Sequence, residues 1–261
     1  MFTRSIALAM TCGAALVGCA AQDDATTDDT QEIIDNLVQV GFPRNDIMVV
    51  DGLVYTGRDA VVSLEASREM LTPDPSISGE EQYRTTNLVG TAITRICVNG
   101  SAFTGSLSQG LNMAITNYNN EGLRFTMQRT TNNNTAGCSA TITARVAGGT
   151  GGSSGFPSGG RPFNTINIGG SLSSFNVNTI EHVITHELGH TIGFRHSDFF
   201  NRSISCGGAA TNEGQSNVGA ILIPGTPTGA TVGGSIMNSC FRTVETGEFT
   251  ASDRTALNAL Y

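Results

Sequence analysis

His186, Glu187, His190, Gly193 and His196 stand in the order H-E-x-x-H-x-x-G-x-x-H, and their types and spacing are those of a metal site with its own base. Residues four apart on an α-helix share a face, one turn from each other, so His186 and His190 can direct two imidazoles at one ion. Imidazole nitrogen suits zinc, and a catalytic zinc takes three protein ligands and keeps one position for water. A straight helix cannot offer a third histidine to a tetrahedral ion. Gly193 supplies the break, because glycine tolerates left-handed backbone angles and commonly ends helices. The chain can then return with His196 as the third nitrogen. Glu187 follows the first ligand directly, where its carboxylate reaches a metal-bound water from the side. Such a water has its pKa lowered towards ~7, and a nearby carboxylate can take its proton. The segment therefore predicts one catalytic Zn2+ on His186, His190 and His196, with Glu187 as general base. His182 lies a turn earlier on nearly the same face. A set of His182, His186 and His190 would be collinear, which fits tetrahedral zinc poorly, so His182 reads as structural.

From His186 to Asp198 the sequence resembles the metzincin zinc signature, and specifically that of the bacterial dual-action HEIGH metallopeptidases. There H-E-[IL]-G-H-T-I-G-F-R-H-[ST]-D is typical, and Leu188 occupies the variable place. Ser235-Ile236-Met237-Asn238 resembles the methionine turn that lies below the zinc in metzincins. In several of them a tyrosine two residues after that methionine contacts the metal; here the position is Ser239, so no tyrosine ligand is assigned. A weaker resemblance runs from about residue 31 to the end of the chain.

The resemblance implies an α+β fold. Its parts are a twisted mixed sheet, a long backing helix, an active-site helix at a zinc cleft, and a smaller C-terminal subdomain with the methionine turn and a terminal helix. It implies a zinc metalloendopeptidase acting on protein or peptide substrates, whose extended backbone would add to an edge strand placed at about 140–147. Astacin-like metzincins are held latent by an aspartate of a pro-segment in an F-x-G-D setting. Tyr55-Thr56-Gly57-Arg58-Asp59 is similar, with one extra residue between Gly and Asp. Asp59 is thus a candidate latency ligand; the other reading is an ordinary turn aspartate. Asp198 is a candidate to orient a ligating histidine from behind, to bind the cleft wall, or to stand as a solvated acid. Two other functions stay open: a surface binding or adhesion lipoprotein with structural zinc, and a hydrolase of non-peptide amides. Retention of Glu187 argues against the first, since a structural site needs neither a base nor an open position.

The rest of the chain must hold and deliver this site. With 261 residues and a formal charge of −8, it argues against nucleic acid or an anionic membrane surface as partners. A monomer is expected, and nothing indicates calcium. Arg4 and the short apolar run 6–17 read as a signal peptide covering residues 1–19, too short for a membrane span. It ends Leu16-Val17-Gly18-Cys19, which resembles a bacterial lipobox with Cys19 lipidated; the alternative is an ordinary cut near Ala20 or Ala21. Both predict export, to an outer membrane or cell surface by a lipid anchor, or into the medium. Residues 20–30, rich in Asp and Thr, read as a disordered tether.

Cys97, Cys138, Cys206 and Cys240 predict two disulfides with three conceivable pairings. Cys97–Cys138 and Cys206–Cys240 are favoured, since each pair lies to one side of the zinc helix. Residues 31–82 form a small N-terminal unit and linker, a candidate pro-segment. It holds an amphipathic helix around Ile33–Val38, a hairpin on Asp51-Gly52, and a short helix capped by Ser63. The catalytic unit, 83–261, carries a helix through Leu107–Tyr118, strands at 123–127, 142–146 and 163–168, and a last helix from Thr250. The glycine-rich run 148–160 reads as a flexible surface loop or cleft rim.

Overall fold

The computed structural model describes residues 24–72, 82–132, 135–214, 220–227 and 229–261. Cys19 and most of the linker, 73–81, lie outside the described residues. The chain opens with α1 (Asp24–Gln39), β1 (Met48–Val50), β2 (Leu53–Thr56), β3 (Ala60–Val62) and α2 (Leu64–Met70). Asp51 and Gly52 turn the β1–β2 hairpin with φ of 51° and 76°, the left-handed pair that a two-residue hairpin needs. Ser63 caps α2 by accepting from the amide of Ala66. Helix α1 already covers 24–30, which composition alone reads as a tether. Once the apolar face from Ile33 fixes a turn, each upstream residue adds its own backbone hydrogen bond, and propagation is far easier than nucleation.

The second part runs β4 (Tyr83–Arg84), β5 (Arg95–Asn99), α3 (Gly105–Asn120), β6 (Thr126–Thr130), β7 (Ala140–Ala147), β8 (Gly152–Gly155), β9 (Thr165–Gly169), α4 (Val177–Thr191), α5 (Ser203–Cys206), β10 (Ile221–Leu222) and α6 (Ala251–Leu260). Among the described residues there are thus six helices and a mixed sheet. The main sheet has the order β1-β2-β3-β8-β9-β7-β5-β6. Strands β5, β6, β7 and β9 are parallel neighbours, β8 is antiparallel to β9, and β3 joins β8 in parallel.

Two expectations change here. The strand at 140–147 exists with those bounds, but it is interior, hydrogen-bonded to β5 and β9. The strand next to the site is β8, drawn from the glycine-rich run that composition reads as a loop. Those glycines are there for close approach: a Cβ on Gly155 would meet the Val61 carbonyl at 2.6 Å. The outer edge of β8 is covered by β3, so the N-terminal unit extends the main sheet rather than standing apart from it.

Helices α3 and α4 pack together under the sheet in one large core that includes Ile96, Leu111, Ile142, Ile166, Ile180 and Leu188. A smaller core joins α1, α2 and the N-terminal strands, and Phe156 from beyond β8 enters it. Cys97–Cys138 and Cys206–Cys240 are both formed. The second ties α5 to the segment after Met237 across 34 residues of sequence. Replacing Cys206 and Cys240 by Ser is expected to cost about 3–4 kcal/mol of unfolding free energy, from the released loop entropy. Equilibrium denaturation checks this, and a loss below about 1 kcal/mol would contradict it.

Candidate metal centre

Asn176 starts α4 by accepting from the amide of Asn178 with its side chain. From Thr179 to Thr191 every residue is buried, which is why no simple amphipathic stripe marks this helix. The helix stops at Ile192, and Gly193 takes φ of 110°. A Cβ there would sit 2.6 Å from the Asn87 carbonyl. Beyond the glycine the chain is caught by β4: Thr85 donates to the Gly193 carbonyl and Arg195 donates to the Tyr83 carbonyl. These bonds set the course that returns His196 to the helix. Gly193→Ala is therefore expected to lose zinc as well as stability, read by metal content after dialysis. Full zinc retention would show that the break does not position His196.

The three imidazoles meet at one point. His186 Nε2 is 3.0 Å from His190 Nε2 and 3.2 Å from His196 Nε2. Each Nδ1 faces an oxygen that can only accept: the Ile236 carbonyl at 2.8 Å, the Phe194 carbonyl at 2.7 Å, and the Glu213 carboxylate at 2.8 Å. The Nδ1 atoms therefore carry protons, and the three Nε2 atoms converge. Asp59 completes the cluster, with Oδ2 at 3.1 Å from His196 and 3.7 Å from His186, and Oδ1 at 3.7 Å from His190. Asp59 Oδ1 is buried and has no hydrogen-bond partner among the described residues. Four donors about 3–3.7 Å apart are close to the edges of a tetrahedron drawn at zinc–nitrogen distances of about 2.0–2.1 Å. Converging imidazole nitrogens and an orphaned carboxylate oxygen fit a bound cation, and the nitrogen-rich donor set suits zinc.

Asp59 reaches the cluster from the turn between β2 and β3, where Gly57 and Arg58 take φ of 60° and 78°. A left-handed Arg is a costly conformation that its surroundings must hold. The turn is fastened by Gly57 donating to Asp46 Oδ2 and by Ser154 donating from its amide to the Asp59 carbonyl. Burial pushes the Asp59 carboxyl up, but His196 and the other two imidazoles outweigh this and hold it well below the usual carboxylate range.

Glu187 points from α4 to β8. Ser154 Oγ lies 2.8 Å from its Oε2, and a Cβ on Gly152 would come within 2.4 Å of its Oε1. Burial, with the Asp59 carboxylate nearby, pushes the Glu187 carboxyl well up. A cavity of about 290 Å³ adjoins the cluster, with Arg58, Asp59, Gly152, Val183, Glu187 and Phe241 in its wall. Met237 is buried beneath α4, its Sδ close against Gly189, and its carbonyl accepts from the amide of Ser197.

His182 stands apart from the cluster, with Nδ1 on the Thr246 carbonyl. Asp198 touches no histidine. Its Oδ1 accepts from the amide and hydroxyl of Ser239, and its Oδ2 from those of Ser205. It binds the cleft wall beside the Cys206–Cys240 bridge. The carboxylate behind a histidine is instead Glu213, which sequence reading missed, as it missed Ser154 and Asp46. Glu213 lies in a stretch rich in Gly, Thr and Asn, where no periodicity or motif spacing singles it out.

No curated relative matches the chain. Among solved structures, two of myroilysin are similar. One aligns with a TM-score of 0.40 at 14% identity over 67% of this chain and 95% of that chain. The other aligns with 0.39 at 14% identity over 73% and 88%. The sequence profile of the dual-action HEIGH metallo-peptidases matches residues 54–261, from β2 and the Asp59 turn through the histidine cluster to the terminal helix. The chain is a member of that metallopeptidase family.

Proposed function

We propose that the protein is a zinc-dependent endopeptidase of metzincin type, held in a latent arrangement by its N-terminal unit. The convergence of three Nε2 atoms beside a buried glutamate carries this reading. His186, His190 and His196 would hold the metal, and the Asp59 carboxylate, beside all three imidazoles, would compete there with a water. A zinc ion held there would supply Lewis-acid chemistry to a substrate carbonyl and a water. Glu187 takes the proton of the attacking water and delivers it to the leaving amine. The Ser154 hydroxyl fixes the glutamate's orientation during both transfers. The Ile236 carbonyl, accepting from His186 Nδ1, keeps that ring in place, and Met237 packs beside Gly189 of the same helix.

The outer edge of β8 is where an extended peptide backbone would dock once β3 leaves, and main-chain pairing there would give affinity with little sequence choice. Protein or peptide substrates follow from the family. Export as a monomer anchored through lipid on Cys19 is part of the same proposal, supported by the leader sequence and by two disulfides. An adhesion protein with structural zinc is the competing reading.

Chelator-sensitive cleavage of casein, measured with zinc content on the full chain before and after proteolytic nicking of the 73–81 linker, separates the two. The expected result is zinc in both samples and cleavage chiefly after nicking. Zinc in both with no cleavage in either, even on Asp59→Ala, would favour the adhesion reading.

A further inference from the structure

We infer that Glu213 is a positioning residue for the third metal ligand, and that it sets how tightly the site holds its metal. This rests on the zinc-site reading above. Of the three histidines, only His196 backs onto a carboxylate; His186 and His190 back onto backbone carbonyls. A carboxylate behind an imidazole fixes its tautomer and ring orientation and raises its basicity as a ligand. His196 needs that help most. Its companions stand on α4 with rings set by the helix, whereas His196 follows a glycine break and sits on irregular chain.

The carboxylate is itself held. Arg202 Nη1 lies 3.1 Å from Glu213 Oε1, and Arg195 Nη2 lies 3.8 Å from Oε2. Ser239 Oγ, whose proton goes to Asp198 Oδ1 at 2.7 Å, lies 3.3 Å from Oε1 on the methionine-turn side. Both the glutamate and His196 are almost wholly buried. Three chain segments thus meet on Glu213: the third-ligand segment, the methionine turn and, through Arg202 donating to the Gly57 carbonyl, the turn that carries Asp59. That convergence fixes the Glu213 side chain directly behind the His196 ring.

The test is zinc affinity of the full chain by competition with a chromophoric chelator, for wild type, Glu213→Gln and Asp198→Asn. Glutamine keeps the size and one acceptor oxygen but removes the charge. Glu213→Gln is expected to fold cooperatively and to bind zinc about ten- to a hundredfold more weakly, with a shifted visible spectrum in the cobalt-loaded form. Asp198→Asn loosens the same loop without touching a histidine, and is expected to leave zinc affinity and the cobalt spectrum unchanged. Equal affinity and spectrum in Glu213→Gln and wild type would overturn the inference. So would an equal loss in Asp198→Asn, which would make the effect one of loop integrity.

A measurement on the wild type guards against a variant that does not fold. In the zinc-loaded protein the His196 Nδ1 proton, in a charge-assisted bond, is expected downfield of those of His186 and His190 in the proton spectrum; a position level with them would refute the role. If His196→Ala bound zinc as tightly as wild type, the site reading itself would fall, and this inference with it.

Discussion

Glu187→Gln is expected to lower peptide turnover by about 10²–10⁴-fold while leaving zinc bound. The size follows from the role proposed for Glu187, to accept and return a proton beside the histidine cluster. Zinc binding survives because the converging donors are His186, His190, His196 and Asp59, and Glu187 is not among them. Glutamine is the right probe because the space is tight. The carboxylate presses on Gly152 and accepts from Ser154, and an amide of the same shape can keep both contacts. Alanine would open a cavity and free β8 to shift, mixing a chemical loss with a structural one. The comparison is best made on the Asp59→Ala background, where the site is clear and turnover is measurable, with kcat and zinc content determined on the same samples. Near-normal kcat in the double variant would sink the general-base role of Glu187, whatever the metal does.

How far the sequence carried this site depends on where each residue's constraint comes from. His186, Glu187 and His190 are bound by helical spacing, and Gly193 and His196 by the geometry of leaving that helix; all of it is local, and the motif displays it. The pairing of the cysteines was legible because few combinations exist. The helix through Leu107–Tyr118 and the strand through 142–146 follow from periodicity. The place of that strand in the sheet does not, because neighbours in a parallel sheet are far apart in sequence, and nothing in Ala140–Ala147 says which strand lies beside it. Strand β8 was illegible for a sharper reason. Its residues are Gly-Ser-Ser-Gly, chosen for what must pass close to them, Glu187 on one side and β3 on the other, so their composition mimics a loop. Glu213 and Asp198 show the same limit for side chains. Both are acids in irregular chain; one lies near the motif and binds serines, the other lies farther away and binds the ligand.

The N-terminal unit was expected as a body ahead of a linker, and what it does is more intimate. Strand β3 occupies the outer edge of β8, and the turn before it delivers Asp59 to the three imidazoles. On the proposed reading two blocks are stacked: one at the histidine cluster, one on the strand edge where substrate backbone would lie. They can be removed separately, and that separates their kinetics.

Asp59→Ala in the full chain is expected to raise kcat on a short peptide substrate by about ten- to a hundredfold, the gain if the blocked arrangement is populated at roughly 90–99%. The left-handed Gly57–Arg58 turn and the Ser154–Asp59 backbone bond do not need the carboxylate, so β3 should stay paired with β8 in the variant. KM should accordingly remain high, and should fall only when the linker at 73–81 is nicked and the segment carrying β3 departs. Zinc should remain, held by the three histidines, since a catalytic site needs no fourth protein ligand. This kcat-first, KM-second pattern distinguishes a metal-blocking aspartate from one that merely stabilises the turn. A turn aspartate predicts that Asp59→Ala lowers the unfolding midpoint, leaves kcat where it was, and lets nicking alone account for the whole gain. If that is what steady-state kinetics on the two preparations show, latency in this protein comes from the strand edge, and Asp59 has no part in it.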